Sequence, residues 1–280
     1  MTAAGAAHVS SHLEASEDGQ RYAVAWTSST AYTADPEDVP PQGELRLIFE
    51  DADFLVVEKP AYLPTENTRT IKDSVRSRLE ASHGGGLSIV HRLDWETSGL
   101  LVVARTREAA RALGTQFANR TVLKAYVADV LGTLPASRGE VRLPLAPDEL
   151  RRPRQCVDFG RAGKPSCTRW EVMAELRHGG AQAARLRLDP ETGRRHQLRM
   201  HCLAGLGCPI GGDLLYTPPT PGAAPGEERG GPPAAPGLSP SRLHLHASEL
   251  GFAHPTRDGE RCFYRSEPPF ALQQVFDKER

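Results

Sequence analysis

Apolar positions along this chain change their spacing from segment to segment, and the changes mark the elements. Leu45-Arg46-Leu47-Ile48-Phe49 and Phe54-Leu55-Val56-Val57-Glu58 are short apolar runs separated by Asp-Ala-Asp, the pattern of two strands joined by a turn. Lys59-Pro60 closes the second. Asp73 is placed to cap a helix running through His83, with Val75 and Leu79 on one face and Gly84-Gly85-Gly86 ending it. That triple glycine lacks the GxGxxG and GxxxxGK[ST] spacings and precedes a strand, so it reads as a loop rather than a phosphate cradle. Gly99 to Arg105 reads as a buried strand. Arg107 to Asn119 carries Ala110, Leu113 and Phe117 on the apolar side of a helix, and Lys124 to Leu131 is a further strand ended by Gly132. Ser166 to Glu175 and Ala183 to Asp189 form an antiparallel pair around a turn near Gly179-Gly180. Thr192 is placed to cap a helix through Leu203, which Gly205 to Gly207 ends. Strands alternate with few intervening helices, which argues an α+β fold with a largely antiparallel sheet.

Two segments fall outside this pattern. Residues 1–43 are rich in Ala, Ser, Asp and Pro and show little periodicity until Tyr22 to Trp26. They read as a loosely ordered acidic extension, with that short aromatic piece able to dock on the body. Residues 217–241 form a Pro/Gly/Ala insert with too few large apolar residues to pack, and read as a disordered surface loop. Its charges are limited to Glu227, Glu228 and Arg229, so it offers no basic patch and no role is assigned to it. A catalytic domain over 44–280 remains, within the size expected for one large domain or two small ones.

Charge changes this picture more than length does. The chain's net charge of −1 averages over an asymmetry: residues 1–60 hold 3 Lys and Arg against 11 Asp and Glu, and the remainder holds 31 against 24. The body is therefore mildly basic, which permits a phosphate-binding face without demanding one. No stretch approaches the roughly 18 to 20 apolar residues that span a bilayer. The five cysteines form no CxxC pair and match no zinc spacing, and they read as reduced thiols. The N-terminus has neither a secretory nor a convincing transit pattern, since Glu14, Glu17 and Asp18 precede the first Arg. A cytoplasmic setting is expected, with an organelle left open.

The candidate chemistry centres on His91-Arg92-Leu93-Asp94-Trp95-Glu96-Thr97-Ser98-Gly99-Leu100-Leu101. It sets one carboxylate after a basic residue and before a small polar turn at the mouth of an apolar run. On spacing alone, Asp94 is more readily an Asx cap that satisfies backbone donors than a catalytic group. The histidines give no metal pattern: His196 and His201 are five apart, and His244-x-His246 would point two rings to one face of a strand. A zinc hydrolase built on these and Asp94 is a rival reading without a recognised ligand spacing. Arg151, Arg152 and Arg154 form a basic run that fits RNA contact and a solvated loop equally.

A second segment, Leu188-Asp189-Pro190-Glu191-Thr192-Gly193-Arg194-Arg195-His196-Gln197-Leu198-Arg199-Met200-His201, is followed by Gly207-Cys208-Pro209-Ile210-Gly211-Gly212-Asp213-Leu214-Leu215-Tyr216. With the Asp94 run, and with Lys124-Ala125-Tyr126-Val127-Ala128 between them, the chain resembles a pseudouridine synthase of the RluA type. Leu143-Pro144-Leu145, Gly163-Lys164-Pro165-Ser166 and Leu243-His244-Leu245-His246-Ala247 extend the similarity, in the family's order, over roughly Leu45 to Phe270. The resemblance implies the α+β pseudouridine synthase fold: a largely antiparallel mixed sheet, flanking helices and a central RNA-binding cleft. It implies isomerisation of a specific uridine in ribosomal or transfer RNA, with Asp94 as the catalytic carboxylate and no metal, nucleotide or redox cofactor.

By the same resemblance, Arg199 pairs with the catalytic Asp, and Tyr126 stacks on the target base and is a candidate base for the C5 proton. Arg92 fills the gap left by the flipped nucleotide, and Arg194, Arg195 and His196 bind phosphate near a helix N-terminus. The bland alternatives are a helix-surface Arg199, a core-packed Tyr126 and an Arg92 that merely touches phosphate. The expected partner is an RNA stem-loop, bound by a monomer without an N-terminal S4 domain. The departures from the family are Trp95-Glu96 after the Asp and the long 217–241 insert. An RNA-binding module on the same scaffold that has lost catalysis is the alternative of a different class; intact Asp94, Tyr126 and Arg199 argue against it.

Overall fold

The computed structural model describes residues 13–24, 43–178, 181–216, 242–270 and 273–274. The chain divides into two compact units, one of Thr33–Tyr126 with Leu245–Pro269, the other of Met1–Tyr32, Val127–His244 and Phe270–Arg280. The span 44–280 thus carries both. The 217–241 insert and the Gly179-Gly180 turn lie outside the described residues.

The first unit is a sheet with a helix on each face. Its strands lie in the order Arg46–Glu50, Phe54–Lys59, Ser98–Ala104, Leu245–Ala253, Arg261–Arg265. Neighbours are antiparallel except at Ser98–Ala104 against Leu245–Ala253, where the pairing is parallel with Ser98 opposite His246. Side chains alternate across a pleated sheet, and the two alternating sets build two cores. Phe54, Val56, Leu100, Val102, Leu250 and Phe252 share one with Ala109 and Leu113 of the helix Arg107–Ala118. Leu55, Val57, Leu101 and Val103 share the other with Val75 and Leu79 of the helix Val75–His83. A strand with a core on either side is buried at every position, as Ser98–Ala104 is, with Leu100 to Ala104 an unbroken apolar run.

Helix starts differ from expectation where two candidate caps compete. Ser74, not Asp73, caps Val75–His83: its hydroxyl accepts from the Ser77 amide at 3.1 Å, and the Ser77 hydroxyl accepts in return from the Ser74 amide at 2.8 Å. Asp73, one residue too early, pairs with Arg78 at 2.6 Å instead.

In the second unit the long strands Cys167–His178 and Ala181–Pro190 form the expected antiparallel pair, with Arg138–Arg142 on the other side of the former. A four-stranded sheet runs Leu13–Ala15, Arg21–Val24, Gln155–Asp158, Leu145–Pro147. Part of the supposedly loose extension is therefore ordered, since Arg21 pairs with buried Asp158 at 3.2 Å and Tyr22 meets Phe159 edge-on at 6.0 Å. Thr192 is not a helix cap. Its hydroxyl accepts from the Cys167 amide at 3.0 Å and donates to Gln197 Oε1 at 2.7 Å, so the helix begins later, at Gln197–Met200, and loosens into a π turn over His201–Gly205. Among the described residues, no helix is long and apolar enough to cross a membrane.

Candidate active site

Asp94 sits on a turn gripped on both sides. The Thr97 amide donates to the Asp94 carbonyl at 3.1 Å and closes the turn. Leu93, just before, is buried in the core, and its backbone meets the buried Thr65 hydroxyl twice: the hydroxyl donates to the Leu93 carbonyl at 3.1 Å and accepts from its amide at 3.3 Å. Trp95, just after, accepts at its carbonyl from the Tyr62 amide at 2.7 Å and from Lys59 Nζ at 3.2 Å. Its indole Nε1 donates back to the Tyr62 carbonyl, and the two rings meet edge-on at 5.4 Å. Tyr62 adopts φ +64°, a left-handed conformation uncommon outside glycine. Lys59, wholly buried, also donates to the carbonyls of Pro60 at 2.9 Å and Leu63 at 2.8 Å. With both neighbours held, Asp94 is left half-buried and Arg92 exposed.

Tyr126 lies on the strand Leu123–Leu131, packed against the same core that buries Leu93. Its phenol is pushed above the ordinary tyrosine range, first by burial and then by the Asp94 carboxylate. His91 serves the framework: its ring stacks on Phe117 at 4.4 Å, and Nε2 accepts from the Val102 amide at 3.0 Å. Burial, with Lys124 nearby, lowers its pKa to about 3, so the ring is neutral at physiological pH.

The second unit gathers the other candidates. Arg199, 1% exposed, is bidentate to Asp213, Nε to Oδ2 at 2.8 Å and Nη2 to Oδ1 at 2.6 Å, and its guanidinium lies 5.1 Å from the Tyr216 ring centre. It is thus not a helix-surface arginine. The Tyr216 hydroxyl accepts from the Gln155 amide at 2.7 Å and meets His196 Nδ1 at 2.8 Å. His196 is itself buried, with φ +51° at the step into the helix. Its bond with Tyr216 makes it part of the framework around Arg199, whereas Arg194 is half-buried and donates from Nε to the Pro165 carbonyl at 3.3 Å. Gln197 ties this segment together, donating to the Cys167 carbonyl and Thr168 Oγ1 while accepting from Thr192 and the Arg194 amide. Of the basic run, Arg152 pairs with Glu149 at 2.6 Å and Arg154 is buried, its pKa lowered by that burial.

The histidines of the zinc reading have separate partners: Tyr216 for His196, Ser166 and Thr168 for His201, Asp129 for His244, Ser98 and Ser266 for His246. Among the described residues, the groups spaced to hold a metal are Asp51, Asp53 and His254, and Glu140, Cys167 and Glu191; neither includes Asp94 or those histidines. In the first group Asp51 already accepts from His254, Arg257 and two backbone amides.

Sequence reasoning took Lys59-Pro60 only as a strand end and Asp213 and Tyr216 only as parts of a motif. The structure makes Lys59 a clamp on the Asp94 turn and Asp213 the orienting partner of Arg199.

Comparison with known proteins identifies the family. The family described as RNA pseudouridylate synthase matches residues 53–204. The dual-specificity RNA pseudouridine synthase RluA of Pasteurella multocida is 41% identical over 227 residues, 80% of this chain and 93% of that protein. The protein of the same name from Escherichia coli strain K12 is 40% identical, covering 80% and 94%. Among solved structures, human RNA pseudouridylate synthase domain containing 1 superposes with a TM-score of 0.65 at 28% identity, over 85% of this chain and 95% of that one.

Proposed function

This chain belongs to the RNA pseudouridylate synthase family, and on that premise we propose that it isomerises specific uridines of ribosomal and transfer RNA through Asp94. In this reaction the N1–C1′ bond breaks, the uracil turns, and C5 bonds to C1′. C5 loses its hydrogen and N1 gains one, so atoms and electrons balance within the nucleotide and water. The chemistry therefore calls for a positioned carboxylate and not for a redox or group-transfer cofactor. Asp94 either attacks C1′ or removes a sugar proton to give a glycal; both require an ionised carboxylate held close to the ribose.

The observation that carries the reading is the placement of Asp94 on a turn clamped through Leu93 and Trp95, beside a phenol that its charge perturbs. The upward shift at Tyr126 keeps that ring a neutral phenol, which suits stacking on the uracil better than taking its proton. Arg199, oriented by Asp213, keeps the role the resemblance assigns it, as the cation that offsets the charge of Asp94. Arg92, exposed beside Asp94, takes the position of the flipped nucleotide, and the half-buried Arg194 belongs to the RNA-binding set, while the buried His196 supports Tyr216 beside Arg199 instead of meeting phosphate. The dual specificity named for the relatives supports action on more than one RNA.

Tritium release from RNA labelled at uracil C5 tests this, with wild type and Asp94→Ala compared without added metal or cofactor. Release by the wild type alone is expected. Release by neither, from total ribosomal and transfer RNA, would instead support an RNA-binding module that has lost catalysis.

A further inference from the structure

One fully buried histidine takes no part in the chemistry above. His246 stands at the start of Leu245–Ala253, opposite Ser98 in the parallel pairing, and side-chain hydrogen bonds run through it in series. Ser266 Oγ donates to Glu58 Oε2 at 2.6 Å. With its one proton committed there, Ser266 Oγ meets His246 Nε2 at 3.0 Å as an acceptor, so Nε2 carries the hydrogen. On the other side of the ring, Nδ1 meets Ser98 Oγ at 2.8 Å. Glu58 is in turn held by Arg46 at 2.7 Å. Four side chains from Ser98 to Glu58 are thereby linked in series, an arrangement in which neighbouring bonds polarise one another.

The chain ends where the site begins. Ser98 is 2% exposed and directly follows Thr97, whose amide closes the Asp94 turn. Gly99, at φ +118°, lies so near Ala247 that any Cβ would collide with its backbone. A branch leads from the same serine toward Tyr126: the Ser266 amide donates to the Ser248 carbonyl at 2.9 Å, and the Ser248 hydroxyl donates to the carbonyl of Ala125 at 3.1 Å.

We propose that His246 is a positioning residue for the isomerisation, and that the chain Glu58–Ser266–His246–Ser98 sets the Asp94 turn in register with Tyr126. The proposal rests on Asp94 being the catalytic carboxylate. It gives the half-buried glutamate and the buried serines and histidine a common purpose that packing alone does not: a burial-driven contact would be served as well by apolar side chains of similar size.

Replacing His246 risks the fold, so the test uses the two serines at either side of it. Ser98→Ala and Ser266→Ala each delete one oxygen and leave the ring in place. Each is expected to lower kcat about tenfold, with the KM for an RNA stem-loop changed less than about twofold and the thermal midpoint near that of wild type. Because both break one chain, the double variant should be no slower than about the worse single, and Ser266→Thr, which keeps the hydroxyl, should restore turnover. Wild-type kcat in both alanine variants, or losses that multiply in the double variant, would overturn the proposal. Asp94→Ala run alongside separates the two levels: full activity there would overturn the site itself, whereas an inactive Asp94→Ala with active serine variants would remove only the role of His246.

Discussion

In the unit that carries Asp94, the buried cation Lys59 donates to three backbone carbonyls, those of Pro60, Leu63 and Trp95. In the unit that carries Arg199, the buried guanidinium instead meets a carboxylate, Asp213, through two parallel bonds. The first arrangement fixes a stretch of main chain and leaves the neighbouring side chain of Asp94 half-buried. The second fixes a side chain, and the surrounding bonds from Tyr216, His196 and the Leu215 and Tyr216 amides leave it little freedom. The contrast separates a turn built to present a group from a cluster built to hold one.

The largest effect that would break this contrast is on stability. Asp213→Ala should leave a buried guanidinium without its main counter-charge and destabilise the fold by about 3–5 kcal/mol; chemical denaturation reads it, and a loss under about 1 kcal/mol would mean that Arg199 is not held as described. Arg199→Lys, which cannot reproduce the bidentate pair, should also lose at least a few-fold in turnover.

Lys59→Met should divide differently, with a smaller loss of about 1–3 kcal/mol from unsatisfied carbonyls but a steep fall in kcat as the Asp94 turn loosens. An unchanged kcat would put the turn's rigidity elsewhere. At Tyr126, a stacking role predicts that Phe stays within about tenfold of wild type while Ala loses at least about a hundredfold. Equal losses in both would return the phenol hydroxyl to the chemistry.

The smallest effect concerns acid. His91 and His201 have folded pKa values of about 3 and about 4, below their ordinary 6.5, because burial disfavours the charged ring. The unfolded chain therefore binds their protons first, so stability is full above about pH 6.5 and declines as pH falls toward those values. Thermal midpoints measured from about pH 7 to pH 4.5 should fall, and His91→Gln, whose amide can still accept from Val102, should flatten the curve.

The legible part of this molecule was periodic or local. The two alternating cores follow from runs such as Phe54-Leu55-Val56-Val57, and the Asp94 and Tyr126 segments stood out as motifs that share one core through Leu93 and Tyr126. What stayed hidden depended on distant partners. Nothing near Lys59 in sequence announces that it will reach Trp95, and Thr192 has the residue type of a cap but is taken by Cys167 and Gln197. Tyr22 looked able to dock, yet the ordering of Leu13–Ala15 beside it depends on the pairing of Arg21–Val24 with Gln155–Asp158. Burial of His196 likewise follows from a tyrosine hydroxyl twenty residues on.

The most direct test of the account measures RNA affinity and single-turnover pseudouridine formation side by side for the wild type and Asp94→Asn. The account predicts an affinity for the stem-loop within about fivefold of wild type and a rate reduced by more than about a thousandfold, since the turn's framework is untouched while its carboxylate is gone. A variant that binds and turns over like the wild type would contradict it.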